Sequence, residues 1–93
     1  MKTSTEIINA LNQILEANEP ERSELINSFQ KIAFSDNQIE DEYLDEIVGD
    51  LAYDMDYYEP NEEWRKQDLS FYSEDRLKEL ISDVIKKIEK HPI

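Results

Sequence analysis

A chain of 93 residues with net charge −13 makes one domain around a single modest core. It has no cysteine, which excludes a disulfide framework and thiolate-metal sites, and its acidity disfavours bare nucleic acid and anionic lipid as partners. Yet 39% of it is hydrophobic, including Trp64, five tyrosines and three phenylalanines, a composition that favours folding over an acidic disordered tail.

The apolar spacing is helical throughout, and one glycine with three prolines leaves few hairpin signals. The opening MKTSTEIINAL carries one lysine and scattered apolar residues, unlike a secretory leader. Ser4 is placed to cap a first helix over about residues 5–17, where Ile7, Ile8, Leu11, Ile14 and Leu15 share one stripe. Pro20 suits the first turn of a second helix, since its missing N–H would have no partner there. Leu25, Ile26, Phe29, Ile32 and Ala33 carry that helix to about Phe34.

Ser35-Asp36-Asn37 reads as a turn. A third helix is expected from about Glu40 to Tyr58, with Leu44, Ile47, Val48, Leu51, Met55 and Tyr58 on its apolar stripe and Ala52 beside it. Glu59 precedes Pro60, which disfavours helical geometry at Glu59 and stops the helix nearby. Residues 60–72 lack a period, and their loop is expected to fold aromatics, Trp64 among them, onto the core. Ser73 then caps a last helix over 74–90, with Leu77, Leu80, Ile81, Val84, Ile85 and Ile88 inward. Lys86, Lys87 and Lys90 near its end favour the helix dipole. The expected architecture is all-α, a single domain over residues 1–93. It is an antiparallel four-helix bundle with a long aromatic loop before the last helix and the third helix against the first and second. No apolar run approaches the ~20 residues needed to span a membrane, and a cytoplasmic location is expected.

The charge is unevenly spread. From Ile32 to Trp64 the chain runs 33 residues without a lysine or arginine, while twelve acids fall in that stretch. Unneutralised charge repels itself and opposes compaction, so its concentration favours a partner of opposite sign rather than the fold. Rotation about the third helix places Asp45, Glu46, Gly49, Asp50, Tyr53, Asp56 and Tyr57 away from the apolar stripe. A solvated helix face would do the same. Three features argue for an interface instead: no Glu–Lys pairs at i, i+4, two tyrosines on the outside, and a mid-helix glycine. The candidate binding residues are Asp45, Glu46, Asp50, Tyr53, Asp54, Asp56, Tyr57 and Glu59.

Other chemistries are poorly served. Asp54, Asp56 and Glu59 offer hard oxygen ligands, but no segment has the calcium-loop arrangement, and no metal or cofactor is expected. His91, the sole histidine, lies near the end and reads as part of a frayed tail. No phosphate-cradling loop, cysteine nucleophile or separated carboxylate pair marks an enzyme.

The segment LAYDMDYYEP, Leu51–Pro60, resembles the colicin D-type bacterial self-protective immunity family, which includes contact-dependent growth inhibition immunity proteins. In that family a helix ends in an aromatic-Glu-Pro element, here Tyr58, Glu59 and Pro60, followed by a polar loop with an arginine. A closing helix then resembles Arg76-Leu77-Lys78-Glu79-Leu80-Ile81 through Ile88-Glu89-Lys90. The first 40 residues match in helical pattern alone. The resemblance implies a four-helix inhibitor that binds a cognate nuclease toxin, often one cleaving tRNA, and covers its active site; a monomer binding the toxin 1:1 is expected. A reading from another class is an acidic nucleic-acid-mimicking adaptor for a different basic protein, and a third is a plain structural bundle that oligomerises through its helices.

Overall fold

Thr3, rather than Ser4, begins the first helix. In the computed structural model, which describes residues 3–35, 39 and 41–91, helix α1 spans Ser4–Glu16. Thr3 is extended, and its hydroxyl accepts from the Glu6 amide at 3.2 Å. Its carbonyl accepts from Ile7 at 3.0 Å, so capping at Thr3 lengthens the helix by a residue and draws Ser4 inside it. Helix α2 covers Glu21–Ala33, with Pro20 at its N-cap and unable to supply a side-chain bond. The Glu19 carboxylate serves instead, accepting from the Ser23 amide at 2.8 Å.

Helix α3 spans Glu42–Met55 and is capped by Asp41, whose carboxylate accepts from the Leu44 amide at 2.8 Å. The expected start at Glu40, and Asp36 and Asn37 of the expected turn, lie outside the described residues. The helix stops at Met55 rather than Tyr58, because the following backbone pairs elsewhere. Glu59 N–H donates to the Tyr72 carbonyl and Tyr72 N–H to the Tyr57 carbonyl, each at 2.9 Å. This single bridge closes the base of the aromatic loop and takes residues 57–59 out of the helical ladder. Within the loop a short helix α4, Glu62–Arg65, is capped by Asn61. Helix α5 spans Glu74–Lys90 as expected, although Ser73 at its N-cap makes no capping side-chain bond.

The helices close a ring of contacts: α1 lies against α2 and α5, and α3 against α2 and α5. The second main neighbour of α3 is therefore α5, not α1. Helix α5 buries Leu77, Ile81, Val84 and Ile88, spaced three or four residues apart, and that long stripe needs cover from two sides. The centre is filled by Ile7, Leu11 and Ile14 of α1, Ile26 and Phe29 of α2, and Leu44, Val48, Leu51 and Met55 of α3. Burial of each such side chain stabilises by about 1.5–3 kcal/mol.

One charge is buried with them. Arg22 is 3% exposed and stands on the α2 stripe with Ile26, Phe29 and Ala33. Its Nε donates to the Ile14 carbonyl at 3.0 Å and a terminal nitrogen to the Leu15 carbonyl at 3.2 Å, satisfying free carbonyls at the end of α1. The other terminal nitrogen lies 3.4 Å from Glu74 at the start of α5. One guanidinium thus joins three helices. Burial alone would lower its pKa, but the Tyr58 hydroxyl and Glu74 outweigh that and leave it above the ordinary arginine value.

Two expectations about aromatics change. Trp64 is 59% exposed and Leu69 fully so, whereas Tyr58 and Tyr72 pack against the core. The bridge sets Tyr58 and Tyr72 side by side, and the Arg65 guanidinium donates to the Glu59 carbonyl at 2.8 Å, tying α4 over the loop base. Those ties fill the inward places and leave Trp64 outside. His91, in turn, is no frayed end. Its ring stacks on Tyr43 at 4.1 Å, and Nε2 lies 3.5 Å from the Asp41 carboxylate. The Asp41 carboxyl is held below the usual carboxylate range, first by the Leu44 amide and then by His91.

Candidate protein-binding face

Helix α3 carries the candidate site because only one side of it is needed for the core. Leu44, Val48, Leu51, Ala52 and Met55 are buried, which leaves Asp45, Glu46, Asp50, Tyr53 and Asp54 exposed on the remaining arc. Asp56 and Tyr57 continue the face through a turn of i to i+3 hydrogen bonds and are also exposed. Among the described residues none of Asp45, Glu46, Asp50, Asp54 and Asp56 enters an ion pair. The last turn of α3 contains no base, and carboxylates stand where the helix dipole disfavours them. Neither the helix dipole nor an ion pair among the described residues favours this placement.

The face divides into two slopes. Asp50 and Asp54 turn toward α5, where a shallow hollow of about 140 Å³ is also lined by Asp83 and Lys87, with Ile47, Leu51, Leu80 and Val84 completing it. On the α2 side, Gln30 donates to the Ala52 carbonyl at 2.9 Å and to the Asp56 carboxylate at 2.7 Å. Beside it Tyr53, 67% exposed, meets Phe34 edge-to-face with ring centroids 5.4 Å apart. Gly49 lies between the slopes, and a Cβ added there would touch nothing within 4 Å. Packing within the protein therefore does not require a glycine.

Glu59 stands apart from the other seven candidates. It is half-buried, its carboxylate accepts from the Asn61 amide at 3.2 Å, and its backbone closes the loop. Tyr58 and Pro60 of the same element line a polar cleft of about 400 Å³ with Glu19, Arg22, Arg65 and Glu74. In that cleft burial raises the Tyr58 pKa, while Lys78 first and Arg22 second hold the Glu74 carboxyl below its usual range. Its charges already serve one another. Among the described residues no three His, Cys, Asp or Glu side chains gather to hold a metal ion, and no helix is long and apolar enough to cross a membrane.

Sequence reasoning did not find Phe34, Gln30 or Arg22. Arg22 was legible as a charge four residues before Ile26 on an apolar stripe. Phe34 and Gln30 were not, because their roles depend on how α2 crosses α3. Comparison with protein-family models, curated proteins and solved structures finds no match to this chain.

Proposed function

We propose that this protein is an immunity-type inhibitor that binds a basic nuclease toxin and covers its active site. One observation carries the reading: among the described residues, five carboxylates without an ion pair share with an exposed tyrosine the outer face of α3 and the turn after it, while the opposite side is locked into the core. A ribonuclease site must hold phosphates with basic groups, so a rigid acidic helix can occupy the same groove in place of the RNA backbone. Opposite charge also speeds encounter, toward about 10⁸–10⁹ M⁻¹s⁻¹ at low salt. Speed suits an inhibitor that must act before its target cuts. The resemblance of Leu51–Pro60 to colicin D-type immunity proteins supports the same reading and points to a tRNA-cleaving ribonuclease.

In this reading α1, α2, α3 and α5 form an antiparallel four-helix bundle, and the α4 loop braces the end of α3. The protein is not an enzyme, needs no cofactor or metal, and works in the cytoplasm as a monomer in a 1:1 complex with the toxin. It touches neither nucleic acid nor membrane. The test is a search for a toxin gene beside the one encoding this protein, a pull-down with the C-terminal domain such a gene encodes, and titration of that domain's ribonuclease activity. Activity should fall to a floor at an equimolar ratio. Unchanged activity at a tenfold excess would overturn the proposal, as would turnover of a substrate by the purified protein alone.

A further inference from the structure

The acidic face carries an aromatic feature that charge alone does not account for. Phe34 is 51% exposed and Tyr53 67%, yet the two rings hold an edge-to-face contact across the α2–α3 junction. Exposed rings in fixed contact lose little freedom when a partner covers them, which favours their use as anchors. Next to them Gln30 fixes the Asp56 carboxylate at 2.7 Å while holding the α3 backbone at Ala52. An open hollow bordered by Asn27, Gln30, Lys31 and Phe34 lies on the α2 side.

Resting on the toxin-binding reading, we propose that Phe34, Tyr53 and Asp56 form a seat for one cationic side chain, lysine or arginine, of the basic partner. Aromatic faces attract a cation through the ring quadrupole, and the attraction grows once water is excluded. A carboxylate beside the rings supplies the counter-charge and a hydrogen bond to the same head group. Gln30 is a positioning residue, because it aims the carboxylate. Lys31 is the one base at this hollow, and it opposes the cation that the seat receives.

The experiment measures dissociation of this protein from the toxin nuclease domain captured in that pull-down by surface plasmon resonance, with melting temperatures alongside. Tyr53→Ala should dissociate roughly 30-fold faster and Phe34→Ala roughly 10-fold faster, and the double variant should lose less than the product of the two. Tyr53→Phe keeps the ring and should stay within about threefold of the parent. Gln30→Ala should quicken dissociation by roughly threefold, while Lys31→Gln should speed association at low salt. The ring and Lys31 variants should melt close to the parent, and Gln30→Ala a few degrees lower for its lost bond to the Ala52 carbonyl. A stable complex whose dissociation ignores both ring deletions overturns the seat and leaves the inhibitor reading standing. Failure of the toxin domain to bind at all overturns both. A large loss of melting temperature in Phe34→Ala would make the pair part of the core and sink the seat.

Discussion

The Arg22 cleft and the outer face of α3 are built from the same kinds of side chain and treat charge in opposite ways. In the cleft a buried guanidinium is satisfied by two carbonyls and a carboxylate, burial raises the Tyr58 pKa, and Lys78 and then Arg22 hold Glu74 low. On the α3 face the carboxylates are exposed and, among the described residues, enter no ion pair, although Asp56 accepts from Gln30 and Lys87 lines the hollow beside Asp50 and Asp54. Charge that holds a fold is recognised by its partners. Charge that is available to another molecule is recognised by exposure without an ion-pair partner.

The comparison is broken most severely at Arg22. Arg22→Ala removes the donors to Ile14 and Leu15 and should cost about 3 kcal/mol in urea denaturation, because buried polar groups lose their partners. A loss under about 1 kcal/mol would mean that water replaces the guanidinium freely, and the cleft would no longer differ in kind from the surface. The converse experiment reverses Asp50 and Asp56 to lysine together. Toxin association at low salt should slow by roughly tenfold or more while the helical circular dichroism survives. Association that is unchanged and insensitive to salt would remove the acidic face from the mechanism.

A smaller effect sharpens the boundary between the two regions. The Tyr72 hydroxyl donates to the Asp54 carbonyl at the end of α3, and burial first, then Asp54, pushes its pKa up to about 12. Raised above the unfolded value of about 10, this group stabilises the fold fully below pH 10 and loses that contribution as pH rises toward about 12. Tyr72→Phe should cost about 1 kcal/mol at neutral pH, and the gap from the parent should close across that alkaline window in denaturation series. Gly49→Ala has the opposite sign. It should stabilise the free protein by up to about 1 kcal/mol, since the helix gains alanine and the new methyl meets nothing. If the same variant also binds toxin as well as the parent does, the glycine is not there for a partner's approach.

Much of this was legible along the chain. The stripes of Leu44, Val48, Leu51 and Met55 and of Leu77, Ile81, Val84 and Ile88 set the helices and their inward faces, because burial at a 3.6-residue period leaves one solution for each segment. The short helix α4 inside the expected loop and the buried charge of Arg22 on the α2 stripe were not read, although Asn61-Glu62-Glu63 and Arg22 are local signals. The end of α3 was not readable. The apolar stripe carries the expected helix on to Tyr58, and only pairing with Tyr72, fifteen residues after Tyr57, takes that backbone away.

By itself the sequence determined an all-helical fold, most of the inward residues of its helices and a surplus of negative charge on one side of α3, since each follows from local periodicity and composition. Tertiary structure alone decided that α3 has α5 as a neighbour, that His91 stacks on Tyr43, that Tyr72 rather than Trp64 turns inward, and that Phe34 meets Tyr53. Those contacts join residues far apart in the chain. Their energies depend on how helices cross, and no single segment carries that information.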